Sequence, residues 1–403
     1  MASGRLEARA EGPAKRNRRA RVAVAALFLT NGAIFANLVP RLPGLKADLA
    51  LSNTSYGVIV AAFPTGALVA GLAAGAIIRS FSSARMAVAG TIGIATAVFV
   101  AAFSTSPLLL AVALFLGGAC DAVTDVAQNA HGLRVQRCYG RSIFNSLHAV
   151  WSAGAVLGGA MGAAAIALDL PREAHLGISA VVFIGVALIA RPFLLPGPDV
   201  DDAPTAGPAD SVRPGRRAYA ALVLLVVIAI AGAVVEDAGT SWSTLYLGNY
   251  LGAAGGTAAL GFIALLSFQF VGRLVGDRMV DRFGERAVAR GGGLLTAVGM
   301  GVALALPSVP GTIVGFAAAG LGVATVVPAA FHGADQLPGL RHSSGVAVVA
   351  WLMRLGSVGA PPIVGMIADA TSLRVGLLLV PLAGLAIIAA AGVLSGRRRP
   401  VRS

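Results

Sequence analysis

Twelve apolar stretches, each long enough to cross a lipid bilayer, occupy most of this chain of 403 residues. A transmembrane helix needs about 20 consecutive apolar residues. Hydrophobic residues make up 57% of the chain and charged residues only 12%, whereas a soluble domain carries about 25% charged residues. A protein core cannot bury that much apolar surface, so lipid has to cover it. The sequence therefore predicts an all-α membrane protein with 12 transmembrane helices.

Basic residues are concentrated in every second connection between these stretches. The predicted spans are roughly residues 22–39, 54–78, 86–104, 107–131, 143–168, 175–195, 218–247, 257–275, 288–306, 311–333, 345–368 and 373–395. Arginine crowds the even-numbered connections, while the odd-numbered connections hold few basic residues. Because positive residues stay on the cytoplasmic side, we expect every even connection and both termini in the cytoplasm. Membrane orientation thus accounts for the net charge of +13 without a nucleic-acid partner.

The two halves of the chain repeat a set of rare residues about 200 positions apart. The chain has only 5 His and 3 Trp. The matching residues are His131 and His332, Arg141 and Arg341, and Trp151 and Trp351. Duplicated apolar halves are typical of transporters built from two related helical bundles. We expect the repeated residues to serve packing or a gate, and the residues that break the repeat to carry function.

A polar insert separates the two halves. The predicted domains are a basic cytoplasmic tail at 1–21, a six-helix bundle at 22–195, a cytoplasmic linker at 196–217, a second six-helix bundle at 218–395 and a basic tail at 396–403. The insert is too short to bury a core, which excludes a second soluble domain. Cys120 lies in an apolar span and Cys138 in a basic loop, so we expect no disulfide.

A short motif in the eighth connection points to a family. Residues Asp281 to Arg286 contain the core D-R-x-G-x-R of a loop signature, within an order of six spans, a linker and six spans. The chain thus resembles the major facilitator superfamily over nearly its whole length. The resemblance implies two pseudo-symmetric six-helix bundles. It also implies a cytoplasmic gate in which Asp281 faces a helix N-terminus while Arg282 and Arg286, around the turn at Gly284, lock the inside closed. A basic loop that only sets orientation is the alternative.

The fourth and fifth spans favour one branch of this family. Asp125 and Asn129 resemble the acid-x-x-x-Asn pattern of the fucose-permease-like sugar symporters. Drug–proton antiporters of the superfamily usually carry an Arg in the fourth span and a G-P-x-x-G-G motif in the fifth. Here the fourth span lacks Arg, and Ala155 stands where the Pro would be. Drug or metabolite efflux remains the alternative.

Ionisable residues inside the spans are the proton-coupling candidates, because such residues are costly in lipid. Asp121 and Asp125 lie four residues apart on one helix face, and two neighbouring carboxylates do not both ionise easily. We expect Asp125, taken as the deeper of the two, to carry a proton; a structural pairing with an Arg is the alternative. Glu236 and Asp237 in the seventh span are either further proton carriers or a solvated pair at the outer mouth.

Polar and aromatic residues inside the spans are the substrate-binding candidates. They are Asn31, Gln128, Asn129, Asn145, His148, Trp242 and Gln269. Trp242 has no counterpart in the first half, which favours stacking against a ligand. His148 could titrate near physiological pH, and a hydrogen-bonded structural role is equally open. The symmetric His131 and His332 are predicted to be structural residues at helix ends.

Together these features predict a secondary active transporter rather than an enzyme. The sequence contains no P-loop and no metal-ligand constellation, so we expect no cofactor and energy from an ion gradient or from the solute's own gradient. We expect a monomeric, proton-coupled carrier of a small polar solute, such as a sugar or related metabolite, in the bacterial inner membrane. A non-transporting membrane receptor or scaffold is the alternative from another functional class.

Overall fold

The computed structural model describes residues 13–139, 143–197, 215–337 and 344–396. Every regular element within these ranges is helical, and twelve helical segments are long and apolar enough to cross a membrane. The prediction of an all-α membrane protein with twelve spans is therefore confirmed.

The helices follow the predicted spans in chain order. The first half contains α1 Pro13–Leu38, α2 Leu42–Asp48, α3 Asn53–Phe81, α4 Ser83–Ala102, α5 Pro107–Tyr139, α6 Phe144–Ala167 and α7 Arg172–Ala190. The second half contains α8 Arg216–Leu245, α9 Leu260–Phe283, α10 Glu285–Ala305, α11 Val309–Val323, α12 Val326–Asp335, α13 Ser344–Ala370, α14 Leu373–Gly376 and α15 Leu379–Ala390. Three pairs of helices, α1 with α2, α11 with α12 and α14 with α15, each form one span. Each span has one end next to an even-numbered connection or a chain terminus, and we call this its arginine-rich end. We call the opposite end of each span its arginine-poor end.

The observed ends and breaks of the helices differ from the spans predicted from the sequence. Between α1 and α2 the chain forms the 3₁₀ turn Val39–Arg41. Pro40 in this turn and Pro43 in the first turn of α2 lack the N–H groups that a continuous helix needs. α1 already begins at Pro13, inside the segment expected to be a basic tail. α5 continues to Tyr139, past the predicted end of its span at 131.

The sequence repeat reappears as a repeat of contacts. Arg172 donates from Nε to the carbonyl oxygen of Ala102 at 2.8 Å. Arg374 donates from Nε to the carbonyl oxygen of Leu304 at 2.6 Å. Each arginine thus binds the last residues of an earlier helix in its own half, so the two halves share tertiary contacts as well as helix order.

The turn before α4 has the same backbone as the turn before α10. Gly284 has φ 82° and ψ 153°, and Ser82 has φ 74° and ψ 147°. This region of positive φ with extended ψ is essentially reserved for glycine. In the first half, Ser82 therefore adopts the backbone conformation that Gly284 of the loop motif adopts in the second half. The other repeated pair, Arg141 and Arg341, lies outside the described residues.

The described helices pack as two compact units. The first unit takes the described residues up to Leu38, those within Thr65–Gly158 and those from Leu170 to Gly197. The second unit takes the second half of the sequence together with Val39–Pro64 and Gly159–Asp169 from the first half. The arginine-poor ends of α3 and α6 therefore pack with helices of the second half. The domain boundaries drawn from the sequence stay a prediction.

Glycine brings α1 and α6 into backbone contact within the first unit. A Cβ on Gly154 would lie 2.1 Å from the carbonyl oxygen of Leu29, and a Cβ on Gly158 would lie 2.2 Å from that of Ala33. Small residues four positions apart let membrane helices approach this closely. The approach places the polar side chains of α1 directly against α6.

Candidate functional site

The first unit contains a polar cluster centred on Asn31 of α1. The buried Asn31 amide donates from Nδ2 to Oδ1 of Asp121 on α5 at 2.8 Å. Trp151 on α6 donates from Nε1 to Oδ1 of Asn31 at 2.7 Å. One amide thus links a carboxylate to an indole and connects three helices.

The structure brings two of the site candidates, Asn31 and Asp121, together. It adds Trp151, whose part in the cluster sequence reasoning missed. The repeat partner Trp351 is 47% exposed. The two tryptophans therefore have different surroundings, and the packing or gate role expected of both stays a prediction. Asn31 explains the difference, because it gives Trp151 a buried acceptor for its indole N–H.

The polar residues of α5 divide between two environments. Gln128, only 1% exposed, donates from Nε2 to the carbonyl oxygen of Leu27 on α1 at 3.0 Å. Asn129 donates from Nδ2 to Oδ1 of Asp125 at 3.0 Å. Asp125 is exposed whereas Asp121 is half-buried. The expectation that Asp125 is the deeper acid is therefore wrong. Gln128 links α5 to α1 through its amide N–H, and its role in binding a solute stays a prediction.

Helix geometry accounts for this division. Each residue advances an α-helix by about 100°, so Gln128 lies about 20° to one side of Asp121 and Asp125 about 40° to the other. A difference of about 60° is enough to put one side chain against α1 and the other at the surface of the unit.

The second unit contains a second polar cluster within its membrane helices. Gln269 on α9, 4% exposed, donates from Nε2 to Oε2 of Glu236 on α8 at 2.8 Å. Asp237 interacts instead with the hydroxyl of Ser357 on α13. The two adjacent acids thus face different helices, as the 100° step of a helix requires. Among the described residues, no basic side chain forms an ion pair with Glu236 or Asp237.

Trp242 is enclosed by the packing of the second unit. Its side chain is fully buried, and its ring meets that of Tyr56 edge-on at a centroid distance of 5.0 Å and an angle of 73°. The hydroxyl of Tyr56 donates to the carbonyl oxygen of Ser241 at 2.8 Å. The expectation that Trp242 stacks against a ligand is therefore wrong, because Tyr56 already covers the ring.

A further contact in the second unit joins α3 to α13 at the arginine-poor end. The backbone N–H groups of Asn53 and Thr54, the first residues of α3, donate to Oδ1 and Oδ2 of Asp369 at 3.0 and 2.8 Å. A carboxylate in this position satisfies orphan N–H groups and opposes the positive end of the helix dipole. A Cβ on Gly57 would lie 2.3 Å from the carbonyl oxygen of Pro361, so the two backbones touch. We call these contacts the α3–α13 interlock.

The loop motif between α9 and α10 lies at the arginine-rich end. Gly284 makes the turn, and Asp281 and Arg282 are exposed. Arg286 donates from Nε to the carbonyl oxygen of Leu394 at 3.1 Å, which fastens α10 to the end of the last span. The role of these four residues as a gate stays a prediction.

The two symmetric histidines hold equivalent helix ends. Nε2 of His131 accepts the backbone N–H of Leu195 at 3.2 Å, and its Nδ1 lies 3.1 Å from Oγ of Ser83. His332 contacts the carboxylate of the buried Glu285 through Nδ1. Both histidines therefore contact the first residue of the helix that follows the turn at Ser82 or Gly284, which fits a structural role. His131 does not lie at the predicted helix end, because α5 continues to Tyr139.

The remaining candidates lie on α6. The imidazole of His148 meets the rings of Phe28 and Phe144 edge-on, at centroid distances of 5.4 and 4.8 Å. These contacts fit an aromatic packing role. The side chain of Asn145 lies outside the described residues.

Comparison with known proteins gives a family model that matches more than half of the chain and relatives that cover nearly all of it. A family model described as the Major Facilitator Superfamily matches residues 24–278. An uncharacterized transporter of Sinorhizobium fredii is 32% identical over 382 residues, which cover 92% of this chain and 97% of that protein. The membrane protein MosC of Rhizobium meliloti is 28% identical, covering 94% of this chain and 90% of its own.

Solved structures with the same fold include two transporters. The nucleoside transporter NupG superposes with a TM-score of 0.70 at 12% identity, covering 93% of this chain and 98% of its own. A bacterial homologue of the human lysosomal transporter Spinster superposes with a TM-score of 0.72 at 14% identity, covering 96% and 99%. At such identities the likeness shows the fold alone.

Proposed function

This chain belongs to the Major Facilitator Superfamily and is a multi-pass membrane transporter, and we propose that it couples the movement of a small polar solute to protons by alternating access. The pair formed by Glu236 and Gln269 carries this proposal. We further propose a sugar or related metabolite as the solute, in keeping with the fucose-permease-like pattern of α5. The membrane is the bacterial inner membrane, with the arginine-rich end in the cytoplasm.

Glu236 has the surroundings that a proton carrier needs. A carboxylate inside a membrane span is expensive, so its presence there indicates a function. Its partner Gln269 is neutral and buried. An amide can donate to a carboxylate and, through its oxygen, can accept from a carboxylic acid. The pair can therefore accommodate both protonation states of Glu236, which a partner with a fixed positive charge would not do.

The cluster around Asn31 is suited to the solute. It combines amide and indole donors with carboxylate acceptors, and a hydroxylated solute needs both kinds of group. We assign recognition of the solute to Asn31, Asp121 and Trp151. Asp121 is the second proton-coupling candidate, ahead of the exposed Asp125.

Alternating access also requires contacts that open and close at each end of the spans. The α3–α13 interlock supplies such a contact at the arginine-poor end. We propose the loop motif with Asp281 and Arg286 as its counterpart at the arginine-rich end.

A screen for the solute tests this function. Sugars, organic acids and cationic drugs are added separately to the purified protein, because a ligand that binds the folded state raises its thermal stability. The stabilising compound is then offered to proteoliposomes under an imposed pH gradient. We expect a sugar or related metabolite to accumulate and protons to move with it. Stabilisation only by cationic drugs, with proton exchange in the opposite direction, would support efflux instead.

A further inference from the structure

A groove of about 550 Å³ lies between α1 and the end of α7 in the first unit, at the arginine-rich end. On α1 its outer part is lined by Lys15, Arg18 and Arg19, and its inner part by Val22 and Ala26. These positions follow the spacing i, i+3, i+4, i+7 and i+11, so they share one face of the helix. Along this face the lining changes from basic to apolar in the direction that leads from water into the membrane.

The opposite wall comes from α7 and the 3₁₀ turn Arg191–Phe193 that follows it. Ile189 is 69% exposed, so the apolar wall is open to a lipid chain. The guanidinium of Arg19 lies 5.8 Å from the ring centroid of Phe193, which holds this cation beside the groove. The other lining residues include the buried Ala23 and Ala190, whose small side chains leave the space between the two helices.

We infer that this groove binds one anionic phospholipid, with its phosphate against Lys15, Arg18 and Arg19 and an acyl chain along Val22 and Ile189. Basic pockets between membrane helices on the cytoplasmic side recognise anionic lipid headgroups. A free phosphate would leave the apolar wall uncovered, and a lipid without net negative charge would lack the charge complementary to the basic outer part of the groove. The polar clusters assigned to the proton and the solute contribute no lining residue, so this binding is independent of the transport proposal.

Native mass spectrometry of the purified full-length protein in detergent tests the inference, with phosphatidylglycerol and phosphatidylcholine as probes. We expect the wild type to retain one phosphatidylglycerol in preference to phosphatidylcholine. The triple variant Lys15→Gln, Arg18→Gln, Arg19→Gln should bind phosphatidylglycerol about a hundredfold more weakly, since each basic residue near an anionic headgroup contributes roughly fivefold in affinity. Size-exclusion chromatography verifies that the variant remains folded.

A matched control removes three positive charges from the same end without touching the groove. Arg16, Arg216 and Arg217 are exposed basic residues at the arginine-rich ends of α1 and α8, and they do not line the groove. Their joint replacement by Gln should leave binding of phosphatidylglycerol nearly unchanged. An equal loss in both triple variants would overturn the inference, because it would indicate attraction by overall charge instead of a site.

A further variant separates a lipid site from a simple anion site. Val22→Gln places a polar group on the apolar wall at an exposed position. It should therefore weaken the binding of phosphatidylglycerol without disturbing the fold. Inorganic phosphate should compete poorly with the lipid. Effective competition by phosphate, together with full lipid binding by Val22→Gln, would contradict the assignment, as would equal retention of phosphatidylcholine.

Discussion

Replacing Asp369 by alanine should loosen the α3–α13 interlock. The carboxylate accepts the N–H groups of Asn53 and Thr54 at 3.0 and 2.8 Å, and both donors belong to the first turn of α3. Loss of such a cap costs about 1 kcal/mol, and loss of a charge at an exposed helix N-terminus costs about 0.5 kcal/mol. The total loss of about 1.5 kcal/mol raises one population ratio about tenfold. This is the ratio of molecules in which α3 and α13 are separated at the interlock to molecules in which they are joined there.

A distance measurement between two spin labels detects this change. Ala47 and Ala370 are exposed residues on the two sides of the interlock, and each can be replaced by a labelled cysteine in a cysteine-free background. We expect the unmodified interlock to give mainly one short distance by double electron–electron resonance. Asp369→Ala should add a second population at longer distance, and Asp369→Asn, which keeps an acceptor oxygen, should add a smaller one.

The control is a second acid at the same end. Glu173 forms an ion pair with Arg172 at 3.2 Å and takes no part in the interlock. Glu173→Ala should leave the distance distribution unchanged. If Asp369→Ala also leaves it unchanged, the carboxylate contributes nothing to this contact and the reasoning is refuted.

Two further predictions concern the backbone. Gly154→Ala would place a Cβ 2.1 Å from the carbonyl oxygen of Leu29 and should lower the free energy of unfolding by about 1–3 kcal/mol. Thermal unfolding measures the loss, and Gly44→Ala, with no neighbouring atom within 4 Å of the new Cβ, should unfold almost like the wild type. Ser82→Gly should raise the stability by about 1 kcal/mol because it relieves a backbone conformation that favours glycine. Gly284→Ser should do the opposite, and a lower stability of Ser82→Gly would disprove the strain.

The number and order of the spans could be predicted because each span is decided by its own apolar length. The ends of the helices could not be predicted in the same way. α1 begins at Pro13 although the residues that follow are basic, and α5 extends to Tyr139 through a polar stretch. Packing against neighbouring helices, which a local pattern does not contain, decides how far such polar turns remain helical.

The candidate site could be predicted in its residue types and only partly in its geometry. Spacing placed Asp121, Asp125 and Gln128 on one side of α5, yet only the neighbouring α1 decides which of them is buried. The pairing of Asp369 with Asn53 could not be predicted, because the two residues are 316 positions apart and neither belongs to a recognisable motif.

Proton coupling through Glu236 is tested most directly by comparing accumulation with exchange in proteoliposomes that carry the solute found in the screen. The wild type should accumulate the solute under a pH gradient and should also exchange labelled for unlabelled solute. Glu236→Gln should keep the exchange and lose the accumulation, because a carboxamide cannot take up and release a proton, while Glu173→Gln should behave as the wild type. Accumulation by Glu236→Gln at the level of the wild type would contradict the assignment of the coupled proton to this residue.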